Sequence, residues 1–366
     1  MATSLARQLQ QLAIPGQQSL KQLASTKRPS FLFDPKEAAN MDIESVYAIG
    51  TNGLEELISI DGSFAEFEKI LFKESCQHYE RAVQMKEATE EVDRSISLFL
   101  RKLSPYFLLK PAHKCIEWLV RVFQIHAHNG DAVMECILPY YETKVFARML
   151  QLLPLKLDTS PWHWLRPAQK SSSPLARLTL VRRCVVDPSF LHFVNELLPK
   201  SLEANRESPP NALRTLTAFW STTVIAVMEA RKVSEDLVTE LLPYMLSGLK
   251  SANLDYRASS YMVIGKLVTK VTLEEKLCSS LLDAMTKYSE QLHEVGVFRR
   301  LSCPGLDNGK VVTMEVNPQA RPMVTPCASG SDGSEEFLPL YGTEWKALVR
   351  LPVAPEPGSF EAGTKA

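Results

Sequence analysis

Apolar residues recur at helical spacing through most of the chain. Ala112, Ile116, Leu119, Phe123 and Ala127 step by four, three, four and four; Leu213, Leu216, Trp220, Val224 and Val227 step by three, four, four and three. Such steps lay a stripe along one face of an α-helix, and that stripe must be covered by a neighbouring element. Period-two runs are absent until the last fifth of the chain, so the predicted class is all-α. Prolines punctuate the stripes. Pro105, Pro111, Pro139, Pro154, Pro199 and Pro243 mostly follow apolar residues, where each starts or kinks a helix. Asp34-Pro35 predicts a short helix, because aspartate caps an N-terminus and proline fits the first position; Asp42 is predicted to cap the next.

One phrase returns. Glu196-Leu197-Leu198-Pro199-Lys200-Ser201-Leu202-Glu203-Ala204 is answered 44 residues later by Glu240-Leu241-Leu242-Pro243-Tyr244-Met245-Leu246-Ser247-Gly248. A period of roughly 40–47 residues, with proline inside the first helix, is that of HEAT and armadillo arrays. The expected architecture is a HEAT-type α-solenoid of stacked antiparallel helix pairs, in which each unit covers its neighbour's apolar face. The clearest unit runs from Pro243 to Val271. Its first helix carries Leu246 and Leu249, Ser251-Ala252-Asn253 turns, and the second helix is predicted to bury Leu254, Ala258, Tyr261, Gly265 and Val268. Ala258 and Gly265 are read as the points where another helix approaches closely. Asp255, Arg257 and Ala258, followed by Gly265-x-Leu267, resemble the HEAT consensus. The structural repeat positions are therefore Pro199, Trp220, Pro243, Asp255, Arg257, Ala258, Ile264 and Gly265.

These signals divide the chain into an amphipathic helix at 1–15 (Leu5, Leu9, Leu12), a linker at 16–30, N-terminal helical repeats at 31–160, a loop at 161–175 and HEAT repeats at 176–295. From 296 to 366 Pro, Gly and Ser accumulate, a composition expected to stay disordered. Nothing there reads as a polar capping repeat, so the array reads as cut off.

Charge and cysteines narrow the partners. The 41 Lys+Arg against 42 Asp+Glu give a formal net charge of −1, which excludes a global electrostatic footprint for nucleic acid or acidic membrane. Contact with RNA must then be local or made through another protein. The seven cysteines (76, 115, 136, 184, 278, 303, 327) are odd in number and form no Cys-x-x-Cys, the pattern of reduced thiols in an intracellular protein. The N-terminus lacks the apolar run of a signal peptide, and no stretch approaches the roughly 20 apolar residues of a membrane span.

Catalytic signals are scarce. Phosphate-loop, dinucleotide-binding, His-Glu-x-x-His and Gly-x-Ser-x-Gly motifs are missing. His113, Cys115, His126 and His128 are the best zinc candidates by ligand type, but residues two apart on a helix diverge by about 200°, which favours a buried Cys115 and exposed histidines. Cys76 and His78 pair a nucleophile with a base without a legible orienting group. Trp162 and Trp164, near Arg166 and Lys170, suit stacking on single-stranded RNA, although anchoring a loop to the core is the preferred reading. Lys170, Arg177, Arg182 and Arg183 form the one local positive excess, a candidate for phosphate contact. The pairs Lys27-Arg28, Arg182-Arg183 and Arg299-Arg300 are too short for a nuclear-localisation cluster. The Ser171-Ser172-Ser173 run reads as a solvated linker, with phosphorylation as the rival reading.

Phe31-Leu32-Phe33-Asp34-Pro35-Lys36-Glu37-Ala38-Ala39, the Ala48-Ile49-Gly50 to Gly53-Leu54-Glu55-Glu56-Leu57 helix, and Ser97-Leu98-Phe99-Leu100 with Leu103-Ser104-Pro105-Tyr106-Phe107-Leu108-Leu109-Lys110-Pro111-Ala112 carry a more specific likeness. Through them the chain, over about residues 1–295, resembles the U3 small nucleolar RNA-associated protein 10 family. The resemblance implies a nucleolar, non-enzymatic scaffold of the small-subunit processome that supports RNA polymerase I transcription and processing toward the small-subunit ribosomal RNA. Implied partners are processome proteins, with pre-ribosomal RNA and U3 small nucleolar RNA reached indirectly; no cofactor and no membrane are implied. The alternatives are a HEAT-type transport or regulatory adaptor that binds peptide segments on its concave face, and a zinc enzyme built on the His113/Cys115/His126/His128 group.

Overall fold

A computed structural model describes residues 29–155, 160–209, 211–271, 280–281, 283–285, 298–302 and 313–316. The expected helix at 1–15 and nearly all of the linker at 16–30 lie outside the described residues. The described residues contain thirteen whole α-helices: α1 Pro35–Asn40, α2 Ile43–Ile60, α3 Lys86–Leu103, α4 Lys110–Val122, α5 Ile125–His128, α6 Gly130–Ile137, α7 Lys144–Leu150, α8 Arg166–Ser171, α9 Arg177–Val186, α10 Pro188–Ala204, α11 Arg214–Ala230, α12 Glu235–Lys250 and α13 Leu254–Lys270. This is the all-α, HEAT-type solenoid class expected from the stripes and the repeat.

Local chemistry sets the helix ends. Pro35 opens α1 after an extended Asp34, whose side chain makes no capping bond. Asp42 does cap α2, accepting the Ser45 N–H at 2.8 Å. Ser234 caps α12 through the Leu237 N–H, with Glu235 and Asp236 in the first turn and Lys250 in the last, charges that complement the helix dipole. Asn253 caps α13 by accepting the Tyr256 N–H at 2.9 Å, so the expected Ser251-Ala252-Asn253 turn is in place. Pro105, Pro111 and Pro139 each open a helical segment, whereas Pro199 and Pro243 sit inside α10 and α12.

The chain forms two compact units. The first takes Met1–Leu180 with Lys200–Ala212, the second Val181–Pro199 with Leu213–Ala366. In the first, α2 packs on α4 and α3 on α6. Gly50 and Gly53 let α2 approach α4, since a Cβ at either would lie 2.6 Å from the Trp118 or Lys114 Cβ. Beside this contact Phe64, Phe67 and Phe72 surround Phe99 at ring distances of 5.0–5.8 Å. Trp118 donates its indole N–H to the Leu71 carbonyl at 2.9 Å, so the buried ring leaves no stray donor.

The stripe from Ala112 to Phe123 is buried as expected, but Ala127 is exposed. Gln124 adopts a left-handed φ of 52°, which ends α4 and rotates the next residues out of phase. The expected loop at 161–175 contains α8, because Trp162, Leu165 and Leu175 are buried; the Leu175 N–H also donates to the Tyr141 carbonyl at 2.9 Å.

In the second unit α13 packs on both α11 and α12. All five residues of the Leu213 to Val227 stripe are buried. The two copies of the repeated phrase touch: Tyr244 in the second donates to Glu196 in the first at 2.7 Å, and Asn195 donates to Glu240 at 3.2 Å. The α13 stripe differs from expectation. Leu254 is 38% exposed and Ala258, Gly265 and Val268 are half-buried, while Tyr256, Ser260, Val263, Ile264 and Leu267 are buried. The close approach lies on the partner helix, where a Cβ on Gly248 would fall 1.8 Å from the Ser260 Oγ.

Phe298–Ser302 and Thr313–Val316 pair as antiparallel strands β1 and β2. They fall within the stretch expected to be disordered, 296–366, where the β-branched Thr313 and Val316 favour extended backbone. The rest of that stretch lies outside the described residues.

Three substitutions test this packing. Trp220→Asp or Ile264→Asp places a carboxylate among fully buried neighbours and should cost about 4 kcal/mol or more in urea unfolding, or abolish folding of the second unit. Gly248→Ala, a change that favours helix in isolation, should instead destabilise by about 1–3 kcal/mol because Ser260 must move.

Candidate functional site

The zinc candidates do not converge. His113 lies edge-on to Phe31 at 5.3 Å and near Phe107 at 6.0 Å, while Cys115 is fully buried with its Sγ 3.8 Å from the Gly50 carbonyl. Burial pushes the Cys115 thiol well up and the His113 imidazole down. His126 and His128 sit on α5, beyond the break at Gln124, and no three His, Cys, Asp or Glu side chains are grouped to hold a metal among the described residues. His113, expected to be exposed, is packed between aromatic rings. Cys76 is buried with its Sγ facing the Ile70 carbonyl at 3.6 Å, and burial raises its thiol; His78 is exposed. A thiol in that state is a poor nucleophile.

The tryptophan loop is an anchor. Trp162 is buried and donates its indole N–H to Asp131 at 2.6 Å, a contact across 31 residues that pins the segment to α6. Of the basic candidates, Lys170 is exposed at the end of α8 and Arg177 is exposed at the start of α9. Arg182 is exposed, whereas Arg183 pairs with Asp187 one turn on.

The repeat positions have structural partners. Arg257 is 4% exposed and donates from its guanidinium to the Ser251 carbonyl, closing the end of α12; Asp255 pairs with Arg214 of α11 at 3.5 Å. Trp220 donates its indole N–H to Asn195 at 3.1 Å, and the same carboxamide donates to Glu240.

Sequence reading missed a heavily bonded buried group. Glu117 of α4 is fully buried and accepts from the Ser30 hydroxyl at 2.9 and 3.0 Å, the Phe31 N–H at 2.7 Å and the Leu32 N–H at 3.0 Å. Arg148 of α7 donates to the carbonyls of Ser30, Phe31 and Phe33 at 2.9–3.2 Å. A buried carboxylate and a guanidinium thus take up both halves of the main chain of one strap, 30–33. A second missed network joins Arg81 to Asp93 through two bonds of 2.5 and 2.9 Å, with the Asn129 amide donating to the same carboxylate at 2.9 Å. In both, polar side chains satisfy main chain or one another. Both networks fix local shape, and neither sets a nucleophile against a base.

Comparison with known proteins places this geometry in context. A family model described as U3 small nucleolar RNA-associated protein 10 matches residues 237–303, reaching past the boundary near Val295 expected from the sequence. HEAT repeat-containing protein 1 of Homo sapiens is 45% identical over 288 residues, which is 78% of this chain and 13% of that protein. The HEAT repeat-containing protein 1 homolog of Drosophila melanogaster is 39% identical over 297 residues, 80% of this chain and 14% of that one. U3 small nucleolar RNA-associated protein 10 of Aspergillus fumigatus is 32% identical over 314 residues, 81% and 17% of the respective chains. The chain therefore spans between 13% and 17% of the length of these relatives.

The Asp93 network predicts an acid sensitivity. Arg81, ahead of the opposing effect of burial, holds the Asp93 carboxyl below its ordinary value of 3.8, with Asn129 assisting. A depressed folded-state value gives stabilisation that is complete above the unfolded value and is lost as pH falls through the lower folded one. Urea midpoints followed by circular dichroism should fall as pH drops below about 4. In Asp93→Asn that acid-dependent part of the fall should shrink.

Proposed function

The chain belongs to the U3 small nucleolar RNA-associated protein 10 family, which includes HEAT repeat-containing protein 1, and from that premise we propose that it is a non-enzymatic scaffold segment in ribosome biogenesis. In this reading it works in the nucleolus as part of the small-subunit processome. It holds partner proteins in register on nascent pre-ribosomal RNA, supporting RNA polymerase I transcription and processing toward the small-subunit ribosomal RNA. U3 small nucleolar RNA is reached through those partners.

The observation that carries the reading is the 45% identity to HEAT repeat-containing protein 1 across 78% of the chain, set on a fold whose buried polar groups serve to fix helix stacking. A surface held that rigidly binds without paying a large ordering cost on association. The net charge of −1 favours protein partners over direct phosphate contact, with Lys170, Arg177, Arg182 and Arg183 as the local candidates, of which Arg183 already pairs with Asp187.

Affinity purification of tagged residues 1–366 from cells, with and without RNase, tests it. Processome proteins should co-purify and persist after RNase, while pre-ribosomal RNA is lost. A folded chain that recovers neither, or that recovers only cytoplasmic cargo, contradicts the proposal and favours a transport adaptor.

A further inference from the structure

The chain holds four Ser-Pro dipeptides, at Ser104, Ser160, Ser173 and Ser208, and the fold treats each differently. Ser104 is 2% exposed, with its hydroxyl donating to the Cys136 carbonyl at 3.0 Å and its own carbonyl accepting from the Tyr140 hydroxyl. Ser160 receives the N–H of the anchored Trp162 at 3.3 Å. Ser173 is exposed, its hydroxyl 2.6 Å from that of Ser171. Ser208 stands between exposed Glu207 and Pro209, with its own side chain half-buried.

That side chain turns toward a carboxylate. The Ser208 hydroxyl lies 3.3 Å from the Asn205 Oδ1 and is within hydrogen-bonding reach of Asp61 and Tyr106. Asp61 is 6% exposed and also accepts the Tyr106 hydroxyl at 2.8 Å and the Ser63 N–H at 3.0 Å. Asn205 is bonded to the Arg101 and Ser201 carbonyls, so residues 205–208 are latched onto the α3 end of the first unit. Nearby cations already have carboxylate partners: Arg101 with Glu135 at 2.7 Å, Lys102 with Glu66 at 2.6 Å and Arg206 with Glu203 at 4.0 Å.

We propose that Ser208 is a phosphoacceptor for a proline-directed serine/threonine kinase, and that its phosphorylation releases residues 205–209 from the Asp61 latch. The Ser208 Oγ attacks the γ-phosphorus of the kinase's ATP, an Oγ–P bond forms as the bond to the β,γ-bridging oxygen breaks, ADP leaves, and the hydroxyl proton passes to the kinase's base. The product sets a phosphate of nearly two negative charges near the Asp61 carboxylate, and the cations named above already have carboxylate partners, so the contact turns repulsive. Exposed Pro209 supplies the residue such kinases read, and the exposed Arg206 and Glu207 let the short turn open without unpacking a helix.

The test incubates the full chain with a proline-directed kinase and ATP, maps phosphate by mass spectrometry and follows amide hydrogen exchange. Phosphate is expected on Ser173 and Ser208 but not on Ser104. In the Ser208-phosphorylated chain, exchange at the Asn205 and Ser208 amides, which donate to the Ser201 and Asn205 carbonyls, should rise about tenfold or more. Asp61→Asn should blunt that rise, and Ser208→Ala should abolish it while Ser173 is still modified. Phosphate on Ser173 with none on Ser208, or phosphorylated Ser208 with unchanged exchange at these amides, would overturn the proposal.

Discussion

The carboxamide of Asn195 shows what holds the second unit in register. It is fully buried on α10, accepts the Trp220 indole N–H from α11 and donates to Glu240 at the start of the repeated phrase on α12. Apolar stripes alone would let neighbouring helices slide by a turn at small cost, since burial by area is non-directional. A buried amide with fixed partners forbids the slide, because any other register leaves donors or acceptors unpaired at about 1–3 kcal/mol each. Tyr244 with Glu196 repeats the device between α12 and α10, and Ser259 of α13 with the Thr217 carbonyl of α11 extends it.

The first unit answers the same need differently. Its strap at 30–33 is irregular backbone with Ser30 and Phe31 buried against the core, so its main-chain groups need partners within the protein. Glu117 supplies the acceptors and Arg148 the donors, from two helices 31 residues apart in sequence. Such a charge is tolerable in the interior because several donors surround it. The strap is thereby part of the fold, although its only regular structure is the short helix α1 that follows it.

What could be read from the sequence is what depends on a single helix. The Leu213 to Val227 stripe, the Asp42 cap, the turn at Ser251-Ala252-Asn253 and the placement of Pro111 and Pro139 all follow from local spacing and local hydrogen bonding. What depends on the partner helix was not legible. Ala258 and Gly265 look like contact points on α13 taken alone, but the contact is set by Gly248 across from Ser260. Gln124 carries no glycine signature, so the break that exposes Ala127 is invisible in composition. Glu117 reads as a solvated helical charge, and its partners lie 85 to 87 residues away. The family likeness was legible because it rests on whole phrases; individual site residues were not, because in this fold polar residues work in pairs across long separations.

Register in the second unit rests on the buried amide seam at Asn195. This dependence is tested most directly by a double-mutant cycle on Asn195→Ala and Trp220→Phe, with stability measured by urea unfolding of the full chain. A coupling energy of about 1–2 kcal/mol between the two positions is expected, because each substitution strands the other's polar group. Losses that add to within about 0.5 kcal/mol would mean that apolar packing alone sets the register, and would contradict it.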